Sequence, residues 1–226
     1  LPIDANTLLS TFDHCIKTKD YINVIVASKH PRFQWLSMDE ATVHCKKGIG
    51  ELSFISDKCD DPDLVLVSSG DTPTNEVVAA KKIIDKFLNI KTRVINVIDL
   101  MRLQSNLEHP HGLSDDCYDK LFTKNKPIIF AFHGYPNLIH MLCYKRKNKN
   151  MHVHGYKEEG TITTPFDMRV QNEIDRYHLV LNAIKYLKIS KEDKKNIQDY
   201  CNNQLNKHYL YIRKHGVDMP DVDKLI

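Results

Sequence analysis

"DLVLVSSGDTPTNEVVAAKKIIDKFLNIKTRVINVI", residues 63–98, is the stretch that decides the fold. It opens with a run rich in β-branched residues, 63–68, and closes with another, 92–98. Both are continuously apolar rather than alternating, which marks strands covered on two faces, as in a mostly parallel sheet. Between them "TPTNEVVAAKKIIDKFL" has a helical period, with Pro73 just inside a start marked by Thr72.

The same alternation extends outward in both directions. Further strand-like runs lie at 21–27 ("YINVIVA"), 126–132 ("KPIIFAF") and 151–156 ("MHVHGY"). Helical patterns occupy "DANTLLSTFDHCIKT" and "SMDEATVHCKK", where Ser37 and Glu40 have capping-box spacing. "TTPFDMRVQNEIDRYHLVLNAIKYL" reads as one helix started by Thr164, Pro165 and Asp167, with apolar residues at Val170, Ile174, Tyr177, Leu181 and Ile184. A last helix runs from near Ser190 toward His215, where Gly216 can end it. The longest irregular piece is 99–125, with a short helix expected from Ser114. Strands alternating with helices give a layered α/β fold with a mostly parallel sheet.

Composition sets bounds on function. The chain has 226 residues and a formal net charge of +3, too small an excess to call for nucleic acid or an anionic membrane. No apolar run is long enough to span a bilayer. Cys15, Cys45, Cys59, Cys117, Cys143 and Cys201 are scattered without a Cys-x-x-Cys pair, so they read as reduced thiols in a cytoplasmic protein.

Each candidate site has a plain alternative. "SSGDTPT" (68–74) is a strand-to-helix turn whose amides could hold an anion, but a capped helix start explains it as well. His109 and His111, like His152 and His154, are two apart without a third ligand at metal spacing, so no metal site is assigned. The basic run "YKRKNKN" (144–150) reads as a solvated loop. Lys157 beside Glu158 and Glu159 could form an acid/base set, against a connector whose threonines satisfy helix amides. In "VIVASKHPRFQWLS" (24–37), Lys29 stands at the exit of an expected buried strand, where ligands gather in such sheets. "FAFHGYPNLIHML" (130–142) carries His133 at a strand-to-helix corner, where Gly134 permits a sharp turn and Pro136 starts the helix. There His133 and Tyr135 are expected to bond buried backbone or a neighbouring domain, a structural role preferred to a catalytic one.

The motifs "LPIDANTLL", "NVIVASKHP", "QWLSMDEA", "VINVIDLMRLQ", "EHPHGLSDD", "FAFHGYPNLIH", "HVHGYKEEGTITTPFDM" and "NEIDRYHLV" occur in order and cover nearly the whole chain. Together they resemble the C-terminal portion of the phosphoketolases, thiamine diphosphate enzymes that split xylulose 5-phosphate or fructose 6-phosphate. The resemblance implies a transketolase-like C-terminal domain at 41–226, a three-layer α/β domain with a mostly parallel, mixed five-stranded sheet flanked by helices, preceded at 1–40 by the end of a pyrimidine-binding domain and a junction. It implies a fragment of a longer chain, acting with upstream domains in a homodimer or higher homo-oligomer. It implies thiamine diphosphate and a divalent metal (Mg) in the full-length enzyme, with sugar phosphate and inorganic phosphate as partners.

Neither cofactor is expected on this chain, because no Gly-Asp-Gly occurs: Gly70-Asp71 is followed by Thr72. No catalytic residue is therefore assigned. What the resemblance does carry over is a substrate-phosphate lysine, matching Lys29, with His30 and His133 as neighbouring residues. Ser28 and His30 stand where the family has glycine and glutamine. Asn137 replaces an aromatic, and an arginine expected near His154 is missing. Two rivals stand beside the enzyme-fragment reading. One is a non-catalytic regulatory or interaction module that binds an anionic effector. The other is a free-standing α/β protein that binds an anionic metabolite.

Overall fold

The computed structural model describes residues 1–157, 162–220 and 222. Five strands form one sheet: β1 (Ile49–Glu51), β2 (Leu64–Ser69), β3 (Thr92–Val97), β4 (Ile128–Phe132) and β5 (Met151–His154). Their order is β1-β3-β2-β4-β5, parallel throughout except for antiparallel β1. Every residue of β2, β3 and β4 is buried, as their unbroken apolar runs require.

Helices cover both faces. On one lie α3 (Asp71–Phe87), α7 (Arg176–Tyr186) and α8 (Lys191–His215), packed through Leu66, Val77, Ile84, Val180 and Ile197. On the other lie a 3₁₀ turn (Leu100–Leu103), α4 (Asp115–Phe122) and α5 (Pro136–Leu142), packed through Val65, Ile95, Tyr118, Phe122 and Phe130. Helices α1 (Ala5–Lys17) and α2 (Met38–Lys47) pair with each other beside the sheet. The three-layer α/β expectation holds.

Caps set most helix ends where the sequence placed them. Ser37 and Glu40 form the reciprocal box on α2, Ser114 caps α4, Ser190 caps α8, and Gly216 ends α8 at φ 70°. The start of α3 differs, since it begins at Asp71 with Gly70 as its cap residue and no side-chain cap.

Three other expectations need correction. The run 21–27 is not a strand; it pairs with no strand among the described residues, and Ile22 is 96% and Val24 80% exposed. The fifth strand is instead the three-residue β1, held by β3. The long helix from Thr164 is broken in two, α6 (Pro165–Gln171) and α7, with Glu173 between them at φ 57°. The basic loop 144–150 is not simply solvated. Arg146 is 2% exposed, donating to the carbonyls of Leu103 and Leu113, bonding Asp115 at 2.8 Å and lying over the Tyr118 ring. Its fork closes several otherwise orphaned carbonyls.

Candidate functional site at the carboxyl ends of β2 and β4

The chain leaves β2 through α3 toward β3 and leaves β4 through α5 toward β5, on opposite sides. The carboxyl ends of β2 and β4 therefore flank the crevice at a topological switch point, the usual ligand position in such sheets.

Three distant stretches meet there. Asp71, at the start of α3, is 5% exposed. Arg32 Nε donates to its Oδ2 at 3.2 Å, His133 Nδ1 lies 3.4 Å from its Oδ1, and the Thr72 amide donates to Oδ1 at 2.5 Å. Arg32 also reaches Thr72 Oγ1 at 3.2 Å. Burial alone would push the Asp71 carboxyl up. The His133 hydrogen bond, the Thr72 amide and the Arg32 guanidinium outweigh it and hold the group far below the usual carboxylate range. Tyr156 leans on the His133 ring at 5.4 Å between centroids.

Close backbone approach makes this crevice possible. Gly70 has φ 100°, and a Cβ there would fall 2.7 Å from the Cβ of His133. A Cβ on Gly155 would fall 2.2 Å from the Gly134 carbonyl oxygen. Gly134 is needed for room rather than for an unusual φ, since a Cβ would meet the Phe132 ring at 2.7 Å.

Beneath the crevice, Glu76 is fully buried and takes Arg169 at 2.7 Å and Arg176 at 2.9 Å, while Arg176 also donates to the Val222 carbonyl. Both guanidiniums lie over the Phe166 ring. This charge cluster is fully paired and ties α3 to α6 and α7.

A sequence model of the XFP C-terminal domain matches residues 29–226. The chain belongs to that family. It is 49% identical over 224 residues to probable phosphoketolase 2 of Rhizobium meliloti and 52% identical over 225 residues to a probable phosphoketolase of Rhodopirellula baltica. These alignments take in 98% of this chain but 29% and 28% of the relatives, so the chain spans under a third of their length. Among solved structures, it is similar to two transketolase variants from Pichia stipitis, one of them in complex with fructose 6-phosphate. They give TM-scores of 0.58 and 0.59 at 16% identity, over 82% of this chain and 24% of each of theirs. That likeness carries the fold.

The site residues expected in this XFP C-terminal domain end up in two places. His133 sits in the crevice, and its side chain meets Asp71 rather than buried backbone; only its main-chain N–H bonds backbone, donating to the Ser69 carbonyl at 3.1 Å. Lys29 and His30 lie at an exposed bend, where the His30 amide donates to Ser28 Oγ at 3.0 Å. They approach the crevice through Arg32, three residues on. Arg32 and Asp71 were missed by sequence reasoning; Asp71 was read as part of a capped start, and nothing near Arg32 marks it. The histidine pairs hold no metal arrangement among the described residues. His152 stacks on Tyr186 and bonds Asn150, while His154 bonds the Glu173 carbonyl at 2.8 Å. His111 pairs with Asp99. Of the proposed acid/base set, Lys157 bridges to Glu173 at 2.8 Å; Glu158 and Glu159 lie outside the described residues. All six cysteines are free thiols. Among the described residues no helix is long and apolar enough to cross a membrane.

The donor set does not fit a diphosphate-bound metal. Asp71 has its oxygens committed to Arg32, His133 and Thr72, and Thr72 stands where a Gly-Asp-Gly turn would need glycine.

Proposed function

We propose that the chain is the C-terminal region of a phosphoketolase. In the complete enzyme, xylulose 5-phosphate or fructose 6-phosphate reacts with inorganic phosphate to give acetyl phosphate and an aldose phosphate, with thiamine diphosphate and Mg held by upstream domains. This region lends a docking surface and one cation. Residues 1–40 close the preceding pyrimidine-binding domain, and 41–226 form the C-terminal domain. The whole works in the cytoplasm as a homodimer or higher homo-oligomer.

The observation that carries the reading is an uncovered apolar surface beside Lys29. Leu9, Phe12 and Ile16 form an exposed stripe on α1, and Tyr21, Ile22, Val24 and Val26 are exposed in the following segment. A contiguous patch of this kind marks an interface. It supports an upstream domain covering 21–27 and bringing Lys29 to a substrate channel. There Lys29 acts as a flexible point charge for a phosphate dianion. His30 and His133 are its neighbours, His133 acting through Asp71 and Arg32, which fix the segment that carries Lys29.

Steady-state kinetics of the full-length enzyme tests this. Lys29→Ala raises KM for the sugar phosphate or for inorganic phosphate by about tenfold or more, the size of one lost charged contact. Unchanged kinetics removes Lys29 from the site.

A further inference from the structure

The wedge between the end of β5 and helices α7 and α8 holds a cavity of about 400 Å³, within the size range of small-molecule sites. Its wall includes His154, His178, Asn182, Lys185, Lys194 and Gln198, none of which belongs to the Arg32–Asp71–His133 cluster. We propose that this cavity binds a small polyanion carrying phosphate or carboxylate groups.

The argument starts at Asp175, which is fully buried as the cap of α7. Its Oδ1 accepts the Tyr177 amide at 2.9 Å, and its Oδ2 takes His178 Nδ1 at 2.5 Å. Both oxygens are thus spent within the fold. The imidazole is held by one nitrogen, which leaves Nε2 as the donor available to a ligand. Burial would lower the His178 pKa, but Asp175 more than reverses this and raises it, favouring the cation.

Two lysines complete the positive wall, Lys185 from the last turn of α7 and Lys194 from the first turn of α8. Among the described residues neither has a carboxylate within ion-pair distance. The acidic wall residue, Glu173, is already neutralised by Lys157 at 2.8 Å. Asn182 lies against His154 on the same wall. The cavity thus offers a held imidazole and two uncommitted ammonium groups.

Titration calorimetry on the full chain with inorganic phosphate and, separately, with citrate tests the site. At least one probe binds saturably at one site with a Kd of about 1 mM or tighter; phosphate alone points to a phosphate ester, citrate alone to a polycarboxylate. The double variant Lys185→Gln, Lys194→Gln weakens that binding about tenfold or more. Lys207→Gln removes one charge elsewhere on α8, about 20 Å along the axis from Lys194, and leaves the affinity within about twofold. Lys29→Ala also leaves it unchanged, so failure here is distinguishable from failure of the Lys29 assignment. Absence of saturable binding by both probes overturns the proposal. So does an equal loss in Lys207→Gln and the double variant.

Discussion

Glu76 is the residue on which the packing of α3 against α6 and α7 turns. Its carboxylate is fully buried and receives Arg169, Arg176 and the Arg176 amide. Burial pushes its pKa up, and the two guanidiniums reverse this and hold it low. Glu76→Gln removes the carboxylate that the buried Arg176 and Arg169 share, and breaking a buried pair from one side costs about 3–5 kcal/mol. Urea denaturation is expected to show a midpoint shift of that size with an unchanged slope. Asp71 gives a prediction in pH. Its folded pKa is depressed, so its contribution is present above the unfolded value of about 3.9 and lost as pH falls toward the folded one. Between about pH 5 and pH 2 the wild type therefore loses stability more steeply than Asp71→Asn. Parallel pH slopes in thermal melts of the two proteins would dissociate Asp71 from Arg32 and His133.

At the scale of elements, legibility followed the strength of the local signal. Helices α2, α4 and α8 were visible because Ser37, Ser114, Ser190 and Gly216 satisfy orphaned end groups. β2, β3 and β4 were visible because a strand covered on both faces is apolar throughout. β1 was not, since three residues carry no period. The break between α6 and α7 was hidden because Glu173 takes φ 57° without a glycine or proline to announce it. The helix-period apolar residues on either side stay in register through the break. The candidate site was half legible: His133 stood out in its corner, while Arg32 and Asp71 reach it only through the fold. Gly70 governs that corner. Gly70→Ala places a Cβ 2.7 Å from the His133 Cβ at φ 100°, and a residue forced into so sparse a region costs about 1–3 kcal/mol. Chemical denaturation is expected to show that loss, and wild-type stability would mean the corner relaxes freely.

For the whole molecule, the decisive misreading was also the informative one. The run 21–27 has the composition of a buried strand, yet it lies uncovered, shortly after the exposed apolar stripe of α1. Composition records that a segment is built to be covered; it does not record by what. The relatives supply the scale, because this chain spans under a third of them. Replacing Ile22 and Val24 by Asp is expected to leave the melting temperature of the 226-residue chain within about 2 °C, as neither side chain is packed. In the full-length polypeptide the same change is expected to lower it by several degrees, about what two lost buried aliphatic side chains cost. The most direct measurement is amide hydrogen exchange at residues 21–27, compared between this chain and the full-length polypeptide. Docking predicts exchange slowed by about a hundredfold or more in the longer protein, an opening free energy of about 2.7 kcal/mol. Equal, fast exchange in both would contradict it.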